Sequence, residues 1–537
     1  MTALVQSTHH ATCTKPAVGR RIAIVGGGPR GMFCLGALAD AIRQRSITAE
    51  ITVDIYEPAK RCGAGVVYRP NQPSHRIMNY ASGQIDVWPR SAGEGRRPDE
   101  RSLVGWLSDR YASQASPTKC VPRSMVGEYL SEAFDQVVAQ SPASLKVHVI
   151  PHGIEEIERQ GSSWRLCASH PQSYDEVLLT VGHGLPQQGT IANQSVGQVA
   201  AGSRVAMRGF ALTFIDACLD LTEGRRGRFV QAGKELVYVR SGREPRSIYP
   251  YSRSGRPMLA KPATNDGAEG SRQALREGAQ QLSEIAQRDE RVSFVDTVWP
   301  VFVRTAEALA CRRRQYASRK AGSGDGWLDA WIGQPIDAES VLCRINASCT
   351  EQPHTETARL DRAFGDAWRG LYPQLVAIVG RGLLCDASWP DFWRYAREME
   401  RVAFGPPAVN ARKLVALVEA GVVQLESLTT PAPADAHVDC VIPAPHTIAS
   451  GSLLDQLLRR GLIRRHPSAH GIEVKHDGAA IGSDGLETEG LAVIGRATEG
   501  VALGNDTLSR NMHTHPQEWG TAVARRAAAA VAGGVTG

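Results

Sequence analysis

The eleven cysteines of this chain include no C-x-x-C pair and no zinc-ligand spacing, which sets aside a dithiol–disulfide reductase, a structural zinc site and a disulfide-stapled scaffold. No uninterrupted apolar run approaches the roughly 18–20 residues of a membrane span. Residues 1–19 lack the apolar core of a signal peptide and read as a flexible tail, in which the adjacent His9 and His10 do not make a metal site. Lysine and arginine number 61 against 55 acids, a net +6, but no basic block is long enough to argue for nucleic acid. So mild a surplus suits an anionic small ligand at least as well. No Ser-His-Asp or Cys-His set with a recognisable local signature is present, so hydrolysis through a covalent nucleophile is not expected. What remains is a chain of 537 residues, 42% hydrophobic and 22% charged, of ordinary globular composition and long enough for two or more domains. A cytoplasmic protein is expected.

The informative segment is Ile22-Ala-Ile-Val-Gly26-Gly27-Gly28-Pro29-Arg30-Gly31. A short β-type run feeds three glycines at G-x-G-x-x-G spacing, and an Ala/Leu-rich helical stretch follows from about Met32 to Ile42. Gly26 allows the tight turn, Gly28 lets backbone approach a pyrophosphate, and Gly31 lets the helix pack close to the strand. The helix's first amides then face the phosphates. A second β run, 51–56, ends in Glu57, whose carboxylate suits an unphosphorylated adenosine ribose, as in FAD or NAD.

Farther along, 124–138 reads as a helix, 146–150 and 164–167 as antiparallel strands, and 174–184 as a buried strand ending in Gly182-His183-Gly184. Val205 to Asp216 is strand, turn and helix again. Its glycine pattern is incomplete, since Ala211 stands where Gly209-x-Gly would need glycine. Alanine serves there only if the backbone keeps φ negative. The unit is therefore either a second nucleotide site or a retained structural element. Arg253, at the end of this unit's second strand, either pairs with a 2′-phosphate, favouring NADPH, or is a solvated turn residue; Arg256 is a fainter candidate. From 271 to 426 the pattern is mostly helical, with loops at 318–325 and 350–355, and its Trp-rich helices between Trp327 and Trp393 read as core rather than substrate box. Strand 438–442, a strand and glycine turn at 490–500, and an Ala-rich helix from about Pro516 to Ala532 close the chain.

Three strand-then-glycine turns, near Gly26, Gly182 and Gly495, with a βα unit embedded between the second and third, resemble the FAD-NAD(P)-binding flavoprotein oxidoreductases, including the amino-acid N-hydroxylating monooxygenases. The aspartate N-monooxygenases that form nitrosuccinate are the nearer likeness, ornithine and lysine N-hydroxylases a distant one. The matching stretches are 22–31, 63–89 with Met78-Asn79, 177–184, 205–216 and 491–510, about a quarter of the chain. The resemblance implies an α/β, two-dinucleotide-binding-domain flavoprotein. Its discontinuous Rossmann-like FAD domain would span 20–200 and 436–537, interrupted at 201–435 by an NAD(P)H-binding unit and a helical region. It implies FAD and NADPH as cofactors and a small-molecule substrate, an amino acid or other amine, hydroxylated with molecular oxygen through a hydroperoxyflavin. No nucleic acid or membrane partner is implied. By residue, Gly26 to Gly31 would receive the pyrophosphate and Glu57 the ribose. Met78 and Asn79 would lie beside the flavin ring, and Gly182 and His183 would stand at the crossover. Gly495, Asn505 and Asp506 would approach the ribityl and flavin edge, with the last helix aiming its positive end there. Gly209 and Arg253 would serve NADPH. His513 and His515 are either flavin-proximal donors or surface and capping residues, and Arg369 or Arg394 is a candidate for a substrate carboxylate. A flavin reductase or dehydrogenase, a carbon or sulfur monooxygenase, and a non-catalytic flavin-binding redox sensor stay open.

Overall fold

Apolar runs without polar alternation signal strands covered on both faces, and Ile22, Ala23 and Ile24 have no exposed surface. They belong to the first strand, Arg20–Val25, near the middle of a six-stranded sheet in the order 479–481, 487–493, 176–179, 20–25, 51–56, 145–150. All neighbours run parallel except the first pair. The chain builds outward from strand 20–25 to one side and later returns to its other side. The carboxyl ends of 20–25 and 176–179 therefore flank the crevice where doubly wound sheets take ligands. The computed structural model describes residues 19–59, 61–89, 100–167, 172–182, 191–262, 269–312, 326–351, 353–444 and 447–534, the side chains of 191–194, 312 and 531–534 excepted.

The strand expected at 146–150 to be antiparallel is instead Leu145–Ile150, parallel to 51–56 at the sheet's edge. Its half-exposed alternation reflects that edge position, and the Arg123–Ala139 helix supplies the crossover that parallel pairing needs. Strands 156–160, 163–167 and 172–174 do form an antiparallel sheet. Its Trp164 donates to the Glu489 carbonyl at 3.1 Å and so ties the small sheet to the large one.

Between the two portions of the large sheet, strand Arg204–Arg208 lies between 247–251 and 436–439, all parallel. The helix Leu212–Leu221 follows it directly. Two carboxylates on that helix dock it against the first unit. Asp220 accepts from His75 Nε2 at 2.7 Å and Arg76 Nε at 3.0 Å, and Asp216 pairs with Arg123. Burial raises the Asp220 carboxyl, but its bonds to His75 and Arg76 outweigh that and hold it below the usual range. The remaining helices bury an aromatic core: Trp299, Trp327, Trp331, Phe364, Trp368 and Phe392 are buried, and Trp327 stacks on Phe364 at 4.2 Å. No helix among the described residues is long and apolar enough to cross a membrane.

Candidate active site

The first glycine loop sits at the carboxyl edge of the large sheet, and its glycines do three different jobs. Gly26 has φ +113°, donates its N–H to the Tyr56 carbonyl at 2.9 Å, and would place a Cβ 2.4 Å from the Thr180 carbonyl oxygen. A Cβ on Gly31 would lie 2.2 Å from the Gly26 carbonyl oxygen, so that position sets how closely helix meets strand. Gly28 differs. It precedes the helix Pro29–Gln44 with φ −74°, and a Cβ there would meet only Gly65 Cα at 3.6 Å. No protein atom crowds it, which is what a cradle for an external phosphate requires. The helix has no capping side chain and no acid in its first turn, so its orphan amides and positive end are available to an anion. Glu57 stands beside the loop, accepting from Gly27 N at 2.9 Å and Ala59 N at 3.1 Å. The residues present fit a dinucleotide pyrophosphate.

Arg30 points elsewhere. Its side chain, 8% exposed, donates to the carbonyls of Gly504 at 3.1 Å, Asn505 at 2.8 and 3.1 Å, and Thr507 at 3.1 Å. The guanidinium thus clamps the 504–507 turn instead of facing the glycine loop; only its backbone belongs to the phosphate cradle. Gly495, φ +108°, lies under the Arg30 stem, 3.3 Å from a would-be Cβ to Cγ. Asn505 is buried with Oδ1 unpaired, and Asp506 is exposed, its charge within reach of Tyr68, Tyr80 and Glu499. Met78 is in the core, whereas Asn79 donates through Nδ2 to the Phe404 carbonyl at 3.3 Å and links the first unit to the helices. Gly182, φ +64°, is open on all sides; His183 and Gly184 fall outside the described residues. His513 and His515 are buried rather than surface residues, each with an unpaired Nδ1. Burial drives both toward the neutral form, His515 to about 4 and His513 well below its ordinary value.

The second unit reproduces the first loop's backbone. Gly209 has φ +114° and donates to the Tyr251 carbonyl at 2.7 Å, as Gly26 does to Tyr56. Ala211 precedes its helix with φ −130°, ψ −161°, so alanine meets the negative-φ condition. In this correspondence Ser252 takes the place of Glu57, and Arg253 follows it, exposed and joined to no other described side chain. Arg256 is corrected: its guanidinium turns inward to the Ile332 carbonyl and to Glu398 Oε1 at 3.9 Å. Arg394 is also corrected, being a surface residue paired with Asp329 at 3.0 Å. Arg369 is buried, but its fork is taken by Asp366 and by the Ala403 carbonyl at 2.6 Å.

Residues from distant segments come together around Tyr80 in a way the sequence did not reveal. Tyr80 stacks on Phe404 at 6.4 Å, and Tyr372 meets Phe404 edge-on at 5.2 Å. Lys261 Nζ sits 3.3 Å from the Tyr80 ring centroid. Burial raises the hydroxyls of Tyr68, Tyr80 and Tyr372, and the charge of Asp506 adds to each rise. Glu499 accepts from Gly504 N at 3.2 Å and Asn505 N at 3.1 Å, and burial with Asp506 lifts its carboxyl to about 7. Glu400 keeps accessible surface but lies deep enough that desolvation, then Asp506 and Glu499, raise it to about 7 as well.

These shifts fix a pH dependence. As pH rises from glutamate's ordinary 4.5 to about 7, the unfolded chain releases protons the folded chain keeps, so stability falls over that interval and is level above it. Glu400→Gln removes one such group. Melting of FAD-free protein at pH 5 and pH 7.5 should show the variant gaining about 1 kcal/mol on wild type at the higher pH only, after allowance for water at its accessible surface. Parallel profiles would refute the placement of Glu400.

Residues 23–184 match the family model described as FAD-NAD(P)-binding. The chain is 26% identical over 500 residues to an L-aspartate N-monooxygenase (nitrosuccinate-forming) of Streptomyces davaonensis, covering 75% of this chain and 76% of the relative. It is 25% identical over 477 residues to the nitrosuccinic acid synthase npaA of Aspergillus oryzae, covering 75% and 72%. Among solved structures it aligns with the lysine monooxygenase NbtG of Nocardia farcinica at 13% identity and a TM-score of 0.43, over 94% of this chain and 99% of that one. Residues 23–184 thus carry the phosphate cradle of an FAD-NAD(P)-binding region, and the chain is similar to the L-aspartate N-monooxygenases over three quarters of its length.

Proposed function

We propose that the protein is an NADPH-dependent FAD monooxygenase that hydroxylates the amine of a small amino acid. One observation supports it above the rest: two glycine loops of matching backbone geometry, one per parallel sheet, in a chain whose curated relatives are aspartate N-monooxygenases. In this reading the amides at Gly27, Gly28 and the first turn of helix 29–44 would hold the FAD pyrophosphate, and Glu57 the adenosine ribose. Asn79, Asn505 and Asp506 would border the flavin ring. Gly209 and Ala211 would seat the NADPH pyrophosphate. When bound, flavin supplies hydride uptake and oxygen activation. The protein's part is to orient the amine, exclude water and accept a proton, because only an unprotonated amine is nucleophilic. The Glu400 and Glu499 carboxylates, both raised to about 7, titrate where a proton acceptor is needed.

The experiment is product analysis after incubating FAD-loaded protein with NADPH, oxygen and a panel of amino acids. Nitrosuccinate or an N-hydroxy amino acid is the expected product. Rapid NADPH oxidation that yields only peroxide with every amine would favour a reductase, and flavin not reduced over minutes by NADPH or NADH would favour a non-catalytic flavin protein. Cofactor choice has its own test. With no acid at the Ser252 position, Arg253→Ala should lower the NADPH-to-NADH preference roughly 10-fold or more, through loss of a phosphate contact. An unchanged ratio of kcat/KM values would remove Arg253 from the site.

A further inference from the structure

The helix that starts at the second glycine loop faces two ways. Within Leu212–Leu221, Phe214, Ile215, Cys218 and Leu219 are buried in the core of their own unit. Asp216 and Asp220, one turn apart and so on one face, look the other way, into the first unit. Their partners there are joined to one another through the backbone. The Arg123 N–H donates to the Arg76 carbonyl at 2.9 Å, Ile77 bridges to Pro122, and the Met78 N–H donates to the Val121 carbonyl at 2.9 Å. His75, Arg76 and Arg123 are thus presented as one group of donors. The five side chains of this contact are between 10 and 17% exposed. Burial alone would lower Arg76, but its bond to Asp220 and the charges of Asp220 and Asp216 carry it above the usual guanidinium value, so both carboxylates act on one network. Ion pairs so far from water add little net stability over apolar packing, but they fix a register.

That register matters because of what lies at each end of it. Ala211 opens the helix at the second loop, and the helix of 10 residues is stiff, so a shift where Asp220 docks is felt at the loop about 15 Å away. On the other side, Arg76 lies in the same short segment as Asn79, whose Nδ2 ties that segment to the Phe404 carbonyl at 3.3 Å, beside Tyr80. We propose that Asp216 and Asp220 are positioning residues: they set the second glycine loop where a nicotinamide coenzyme held by it can pass its hydride to the flavin. Neither carboxylate touches a coenzyme in this arrangement. The inference rests on the reading of the second loop as the NADPH seat and deepens it. The hydride that NADPH loses is the one FAD gains, and a misplacement of about 1 Å in such a transfer costs about 100-fold in rate.

The test uses the full-length, FAD-loaded chain without oxygen. Flavin bleaching is followed after mixing with saturating NADPH, or with dithionite, a reductant that needs no nucleotide seat. Asp220→Asn keeps the size and removes the charge. It should slow bleaching by NADPH about 100-fold, while dithionite bleaches it at the wild-type rate and the Kd for NADPH stays within about threefold. Asp216→Arg and Arg123→Asp should each slow the NADPH reaction, and the two together should recover it to within about 10-fold of wild type, because the swap restores the pair. A packing role would not be mended that way. A further readout needs no coenzyme: in FAD-free protein, the amides of Met78 and Arg123 should exchange hydrogen faster in Asp220→Asn than in wild type. Equal slowing with NADPH and dithionite, or a swap no better than its single changes, overturns the inference. If neither Asp220→Asn nor Asp216→Asn retains FAD, the carboxylates serve the fold and the assignment falls. A wild type that dithionite bleaches and NADPH does not would sink the functional reading as well, whereas normal bleaching of Asp220→Asn by NADPH sinks this inference alone.

Discussion

Gly28→Val should purify as a folded, colourless protein that stays colourless when FAD is added. The three motif glycines separate cleanly by what surrounds them. A side chain at position 26 would combine φ +113° with a Cβ 2.4 Å from the Thr180 carbonyl oxygen, and one at 31 would drive into the Gly26 carbonyl oxygen at 2.2 Å. Both changes attack the fold itself, through strain and forced separation of strand and helix. At Gly28 the backbone is at φ −74° and the nearest foreign atom to a Cβ is 3.6 Å away, so the apoprotein should tolerate alanine with little loss of melting temperature. The space a side chain fills there is space for phosphate. Gly28→Ala is therefore expected to weaken FAD by about 1–3 kcal/mol, roughly 10- to 100-fold in Kd, and the branched valine to abolish retention. Visible absorbance of the purified protein and titration of apoprotein with FAD give both results. Yellow Gly28→Val, or a Gly28→Ala variant that melts far below wild type while binding FAD normally, would show that the loop serves packing rather than the coenzyme.

This contrast also shows what was legible in the sequence and why. Gly26, Gly28, Gly31 and Glu57 form a local device, a strand, turn, helix and strand whose geometry is fixed within about forty residues, so residue types in order were enough. Ala211 was readable for the same reason. The motif alone posed a backbone condition, and φ −130° meets it. The strand at 145–150 was recognised as a strand but given the wrong partner, because period-two alternation reports an exposed edge and not the direction of its neighbour. Arginines were hardest. Arg256 read as a fainter 2′-phosphate candidate in a basic turn, and Arg369 and Arg394 as candidates for a substrate carboxylate in the helical stretch. Tertiary packing sends the first to the Ile332 carbonyl, the second to Asp366 and the third to a surface aspartate. Lys261 carried no signal at all. Its burial arises only when Tyr80 and the 404–407 turn, far apart in the chain, close over it, and a lysine between Ala260 and Pro262 gives no hint of that.

Arg30→Met should be the most damaging single change outside the glycines, although the sequence placed Arg30 merely within the motif. Its guanidinium donates twice to the carbonyl of Asn505 and once each to those of Thr507 and Gly504, reaching 475 residues along the chain to Asn505. Burial lowers its pKa below the usual guanidinium value, so the ion is held there by what it bonds. Methionine keeps the hydrophobic stem over Gly495 and Phe33 but takes the Arg30 donors from the carbonyls of Asn505 and Thr507. The expected cost is about 3–5 kcal/mol, concentrated in the turn that carries Asn505 and Asp506 and anchors Glu499 through the amides of 504 and 505. A chain of several domains does not unfold in one step, so the sharper readout is hydrogen exchange. Amides 504–507 should lose protection while those of strands 51–56 and 204–208 keep theirs, and FAD should dissociate faster. Lys at this position separates charge from shape: one ammonium can satisfy a single carbonyl or two, not the fan the fork reaches, so Arg30→Lys should fall between wild type and Arg30→Met. If lysine restored full protection at 504–507, charge alone would hold the turn and the fork geometry would be irrelevant. If methionine left those amides protected, the two ends of the chain would be joined by something other than this clamp.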